Sequence, residues 1–264
     1  MKILFIGDIV SSAGRDAVAR YVYEIKEKEN IDLCIANCEN SAGGFGVTRT
    51  ILEELSRSGV DAFTTGNHVY SKKDVVELLT DNEFDIIRPY NLSPQDPGRG
   101  YMILTARGGE KVAVINLLGQ LFIDMPMSNP FEAVNDALAE VKDKAKYILL
   151  DFHADATSEK RAMGYMLDGK VSAVLGTHTH VQTADAQVLP NGTAYITDVG
   201  MCGAFHSVLG AKIDVATSRF ITSVGKKYEA AEGEAQFCAV ILTLSENGRA
   251  EKIKRIFKTD KLSF

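Results

Sequence analysis

Three short apolar runs, residues 2–7, 31–36 and 61–65, recur about 30 residues apart, the length of one βαβ unit. Each is too continuously apolar for a strand with one wet face, so each reads as a strand buried on both sides. Helical spacing fills the gaps between them. Ala13, Val18, Ala19, Val22 and Ile25 share a face over 12–28. Ile51, Leu52 and Leu55 do so after Thr48, with Gly59 as the stop, and Val75, Val76, Leu78 and Leu79 do so after Ser71. Strand then helix, repeated, predicts parallel α/β units.

The middle of the chain changes character. Residues 101–106 and 112–117 flank Arg107-Gly108-Gly109-Glu110 and predict an antiparallel hairpin. Residues 118–130 have no period, contain Pro126 and Pro130, and carry many apolar side chains. A loop of that length walls a site, meets another subunit or packs on itself, and all three readings stand. A helix over 131–144, a strand over 147–152, a helix over 157–167 and a strand over 171–175 follow. The tail returns to β at 187–189, 194–197, 236–244 and 252–257, with a short helix over 211–221. Asn191-Gly192-Thr193 matches a glycosylation acceptor, but Asn-Gly between apolar runs reads better as a hairpin turn. No repeat, low-complexity tract or linker is found, so the expectation is a single domain over 1–264.

Composition narrows the function. The chain is 45% hydrophobic and 24% charged, ordinary for a soluble globular protein, and its formal net charge of −6 argues against a grip on long nucleic acid. A small anionic substrate held through metal ions remains compatible. The opening apolar run is shorter than a signal-peptide core and ends in Asp8, and no run reaches the length of a membrane span, so the expected compartment is the cytoplasm. Cys34, Cys38, Cys202 and Cys238 form no Cys-x-x-Cys pair and read as inert thiols.

What stands just after the strands points to chemistry. Asp8 follows the first, Glu39-Asn40 the second and Gly66-Asn67-His68 the third. His153 follows 147–152, and His178 and His180 follow 171–175 and Gly176. In an extended segment residues i and i+2 point to one side, which would aim His178 and His180 at one spot. In an open parallel sheet the functional edge lies outside the carboxyl ends of the strands, so these points are placed to converge. Histidines, carboxylates and carboxamides without thiolate are too many ligands for one tetrahedral zinc. They suit two ions such as Fe, Mn or Zn about 3.5–4 Å apart, which hold a hydroxide and clamp a phosphoryl group. Gly43-Gly44-Phe45-Gly46 is not the dinucleotide fingerprint; it either lets backbone approach a substrate or is a flexible loop. Neither a nucleotide-triphosphatase loop nor a serine-hydrolase elbow is present.

Gly66-Asn67-His68 and Gly176-Thr177-His178-Thr179-His180 are similar to the metal-binding motifs of calcineurin-like metallophosphoesterases. Gly-Asp-Ile-Val from Gly7, Asn-Cys-Glu-Asn from Asn37, Asp-Phe-His-Ala-Asp-Ala-Thr-Ser-Glu-Lys from Asp151 and Thr-Asp-Val-Gly-Met from Thr197 resemble the YmdB-like branch of that superfamily, over nearly the whole chain. The resemblance implies an α/β fold, a metallophosphoesterase-type β-sandwich flanked by α-helices, with a dinuclear site at the carboxyl ends of the strands. It implies that Glu39 bridges the metals, that Asp8, Asn40 and His180 complete one site, and that Asn67, His153 and His178 complete the other. His68 would be the general acid. The wider superfamily has Asp-x-His where this chain has Asp8-Ile9-Val10, and an aspartate where it has Glu39 followed by Asn40. One site therefore lacks an imidazole, with Asn40 in its place, and the oxygen-richer set favours Fe or Mn over Zn. Residues 202–206 depart from the branch, and His206 reads as a solvated histidine.

The implied activity is hydrolysis of small phosphodiesters, 2′,3′-cyclic nucleotides in particular. The alternatives are a phosphomonoesterase on the same scaffold and a nucleotide-binding regulator with little turnover. The expected partner is the small phosphodiester or cyclic-nucleotide substrate, with neither long nucleic acid nor membrane, and a homo-oligomer is one of the outcomes left open by residues 118–130.

Overall fold

Strands form where apolar side chains can be covered on both faces, and that condition shapes two mixed sheets flanked by helices. The computed structural model describes residues 1–223 and 225–259. In the first sheet β1 (Lys2–Ile6) lies parallel to β3 (Leu33–Asn37), and β3 lies parallel to β4 (Ala62–Thr64). On the other side of β1, β12 (Ala235–Leu244) runs antiparallel and pairs with β13 (Ala250–Lys258). Beyond β12 come β11 (Met201–Ala204) and then β2 (Asp8–Ile9). The second sheet has the order β5 (Tyr101–Thr105), β6 (Lys111–Leu118), β7 (Tyr147–His153), β8 (Ala173–Thr177), β10 (Ala194–Ile196) and β9 (Gln187–Val188). Its inner strands are parallel and its two edge pairs antiparallel.

Alternation along the strands sorts the core into layers. Ile3, Phe5, Leu33 and Ile35 meet Val112, Val114, Leu149 and Leu175 in one cluster shared by the two sheets. Leu4, Ile6, Cys34 and Ala36 point the other way, onto Val18 and Val22 of α1 (Ser11–Glu29) and Leu52 and Leu55 of α2 (Arg49–Arg57). Ile115, Leu150 and Phe152 pack on Val134 and Val141 of α4 (Pro130–Val141) and Met163 of α5 (Thr157–Met166). The start of α4 is well defined: Asn129 accepts the Phe131 amide and Pro130 takes the first turn, where no donor is needed.

Several expectations change in detail. The first sheet is not purely parallel. β12 and β13 form a hairpin closed by a tight turn in which Gly248 has φ +86°, and β12 inserts between β1 and β11. The helix expected from Ser71 is α3 (Val75–Thr80), and Val76 is 47% exposed. Val75, Leu78 and Leu79 already complete the buried stripe at i, i+3 and i+4, so Val76 faces away. β2 and β11 were not anticipated; each is too short for a periodic signal. The Asn191-Gly192 hairpin forms, with Gly192 at φ +94°. The helix over 211–221 is α6 (Ile213–Ile221). All four cysteines are buried and free, and no described helix is long and apolar enough to cross a membrane.

Candidate metal centre

The first sheet delivers Asp8, Glu39, Asn40, Asn67 and His68 to one end of the molecule, and the second delivers His153, His178 and His180 to the same end. Glu39 and His153 are buried, with Glu39 Oε1 3.0 Å from His153 Nε2. Asn67 Oδ1 and His178 Nδ1 each lie 3.0 Å from that same nitrogen. The His178 amide donates to Asp8 Oδ2 at 3.1 Å, and the His68 amide donates to Glu39 Oε2 at 3.0 Å. Gly66 makes this closeness possible, because a Cβ there would collide with both Glu39 Oε2 and His153 Nε2. Glu39, Asn40, His68, His178 and His180 line a cavity of about 290 Å³. A larger hollow of about 710 Å³ beside Tyr90, Arg99 and Met127 contains none of these residues.

His178 and His180 reach the centre by a route other than strand alternation. β8 runs through Gly176 to Thr177, and then His178 and His180 take φ of +98° and +65°. These are left-handed conformations that ordinary side chains adopt at a cost, so the backbone turns at each histidine. His180 Nδ1 lies 3.1 Å from the Leu209 carbonyl oxygen.

The donor set fits metal ions. One ring hydrogen on His153 Nε2 can serve one acceptor, yet Glu39 Oε1, Asn67 Oδ1 and His178 Nδ1 all crowd it. Glu39, His153 and His178 each offer a ligand atom within 4.8 Å of the others. Asp8 Oδ1 and Asn40 Oδ1 are buried without a hydrogen-bond partner among the described residues. Buried oxygens left unpaired are costly, and a cation satisfies them.

Three supporting groups escape a reading by strand ends. Asp151 is buried in β7 and accepts Thr177 Oγ1 at 2.6 Å, Thr64 Oγ1 at 2.5 Å and Asn37 Nδ2 at 3.1 Å. Thr177 has one hydroxyl hydrogen and gives it to Asp151, so at 2.9 Å it accepts from His153 Nδ1. In neutral His153 that leaves the Nε2 lone pair facing the cluster. Lys160 and Asp198 form a buried ion pair behind the turn that carries His178 and His180. Asp151, Lys160 and Asp198 all lie in quoted motifs, which was the available signal.

Electrostatics follow from burial and neighbours. Burial pushes Asp8 and Asp151 up, Asp151 to about 6. Burial also works against the Glu39 charge, but His153 outweighs it and brings Glu39 down to about 2. In turn, Glu39 overcomes the burial of His153 and lifts it to about 9. Burial, then His153, lowers His178 to about 3, and burial lowers His68.

The remaining features separate from the centre. His206 is exposed, 3.9 Å from Glu234. The loop over 118–130 lies outside the cavity lining. It is tied down by Glu159, which accepts the Gln120 and Leu121 amides, and by Asn91, which holds Leu118. Ile123 is buried and Met125 and Met127 pack on the core, while Phe122 is 84% exposed.

Two mixed sheets flanked by helices, with a Glu–His–His cluster at one end, match a recognised class. The family model described as YmdB-like protein matches residues 4–256, and the chain belongs to that family. It is 44% identical over 261 residues to a Bacillus subtilis protein named 2′,3′-cyclic-nucleotide 2′-phosphodiesterase, covering 98% of each chain. A solved structure of a hypothetical protein from Thermus thermophilus is 42% identical with a TM-score of 0.92, covering 98% of this chain and 99% of that one. A structure titled as a novel phosphatase from Mycoplasma pneumoniae is 32% identical with a TM-score of 0.92, covering 98% and 93%.

Proposed function

We propose that the chain is one metallophosphoesterase domain, a sandwich of two sheets, that hydrolyses 2′,3′-cyclic nucleotides with two metal ions. The observation that carries this reading is the convergence of Glu39, His153 and His178 beside the unpartnered oxygens of Asp8 and Asn40. The relative named as a 2′,3′-cyclic-nucleotide 2′-phosphodiesterase supports the substrate class. Glu39 would serve both ions, with Asp8, Asn40 and His180 on one and Asn67, His153 and His178 on the other. Iron or manganese suits the oxygen-rich first set better than zinc. Such a pair supplies polarisation of the phosphoryl group and a water acidic enough to attack at neutral pH.

The chain's own groups do the rest. Hydrolysis adds water across one P–O bond of the cyclic ester and leaves a phosphomonoester and a free hydroxyl. The departing oxygen needs a proton. His68 would give it, a role supported by its place in the cavity lining and by the hydrogen bond from its backbone amide to Glu39. Asp151, through Thr177, keeps His153 turned to the cluster. Exposed Leu121 and Phe122 support a contact with a second copy of the chain.

The relative titled as a phosphatase supports a second reading, a phosphomonoesterase on the same scaffold. Comparing kcat/KM on 2′,3′-cyclic AMP and on simple monoesters tests the choice. The expected result is a clear preference for the cyclic diester, and a monoester preference would favour the second reading.

A further inference from the structure

One side of the same cavity plays no part in the chemistry described so far. Phe45, Tyr228 and Leu209 line it together with the polar groups. Phe45 is the middle of three rings. Its centroid lies 4.8 Å from that of His68 at an interplanar angle of 79°, and 4.7 Å from that of Tyr228 at 65°. Such edge-to-face contacts are the favoured arrangement for aromatic pairs. Phe45 and Tyr228 come from distant parts of the chain, and Gly44 lets them meet. Gly44 has φ +98°, and a Cβ there would collide with the Tyr228 ring and lie 2.6 Å from its hydroxyl. Both rings are half-buried, and the Tyr228 hydroxyl has no hydrogen-bond partner among the described residues.

We infer that Phe45 and Tyr228 form a subsite for the nucleobase of the substrate, an inference that rests on the phosphodiesterase reading above. The division of labour follows from what lines the cavity. Carboxylate, amide and imidazole groups are the ones that a metal-held phosphate would meet, and no lysine or arginine is among the described lining residues. The rings therefore answer to a different part of the ligand than its phosphate. A flat unsaturated ring is what aromatic side chains recognise without regard to sequence. A free phenolic hydroxyl beside them can give or take one hydrogen bond at the edge of such a ring. The volume of about 290 Å³ suits one nucleotide rather than a polymer.

The test compares two substrates that share the cyclic phosphate and differ in the base: 2′,3′-cyclic AMP and glycerol 1,2-cyclic phosphate. The quantity read is the ratio of their kcat/KM values in the full metal-loaded chain. Tyr228→Ala should lower that ratio about tenfold, mainly through KM for the nucleotide. Tyr228→Phe, which keeps the ring, should retain most of what Tyr228→Ala loses. Phe45→Leu, which keeps apolar bulk, should also lower the ratio and serves if Tyr228→Ala folds poorly. A binding arm measures the affinity of 3′-AMP relative to glycerol phosphate by calorimetry, and its ratio should fall by a similar factor. Ratios unmoved in both ring variants would overturn the subsite. If the wild-type chain hydrolyses neither cyclic phosphate, the phosphodiesterase reading fails, and the calorimetric ratio still decides for or against the base subsite.

Discussion

Lys160 Nζ donates to Asp198 Oδ2 at 2.8 Å, and both side chains are buried. The same ammonium donates to the Thr177 carbonyl oxygen at 2.7 Å. Asp198 Oδ2 also accepts the Thr179 amide at 3.0 Å and the Thr179 hydroxyl at 2.7 Å. The pair thus clamps the turn in which His178 and His180 hold positive φ. Removing one partner of a buried pair leaves the other charge uncompensated, at a cost of about 3–5 kcal/mol. Lys160→Met should lower the free energy of unfolding by about that amount, measured by denaturant titration. Adding Asp198→Asn should recover part of the loss.

Asp151 acts at one remove from the centre. Through Thr177 it fixes the ring of His153 and its tautomer. Groups that orient metal-binding histidines typically contribute about 10–100-fold in metal affinity. Asp151→Asn should weaken metal binding by about that factor in a competition titration. It also sets an amide donor against Thr64, Asn37 or Thr177, each of which donates to Asp151. An affinity equal to wild type would remove Asp151 from the account.

His68 is predicted to move a proton rather than hold a metal. A positioned acid is worth about 10²–10⁴-fold when the leaving group is an alkoxide. His68→Ala should lose most turnover on a cyclic nucleotide and keep its metal content. The loss should be much smaller on a p-nitrophenyl diester, whose leaving group departs without a proton. Equal losses on both substrates, with reduced metal, would make His68 a ligand.

The loop over 118–130 yields a prediction about assembly. Glu159 and Asn91 hold its backbone, so the exposed Leu121 and Phe122 are presented on a fixed support. Leu121→Ser with Phe122→Ser should reduce the particle mass seen by light scattering. An unchanged mass would show that the loop is surface only.

The points that converge were legible because parallel strands put their carboxyl ends together, so the meeting of Asp8, Glu39, Asn67 and His153 could be read by position alone. The aim of His178 and His180 was not, since it depends on two left-handed residues rather than on alternation. Asp151, Lys160 and Asp198 were hidden for another reason. Each works through partners far away in the chain, and nothing in local spacing records a contact between Lys160 and Asp198. The two-residue strand β2 and its short partner β11 form only because β12 carries β11 to that edge. Phe45 and Tyr228 lie at opposite ends of the chain, and only the folded molecule brings their rings together.

The proposed paired-metal phosphodiesterase is organised on Glu39. The most direct measurement is turnover of 2′,3′-cyclic AMP with metal content determined by elemental analysis on the same sample, for wild type and Glu39→Gln. Active wild type should carry two ions per chain, and Glu39→Gln should lose both ions and turnover, because one carboxylate would serve both positions. Full turnover with a single ion per chain, or undiminished turnover in Glu39→Gln, would contradict that proposal.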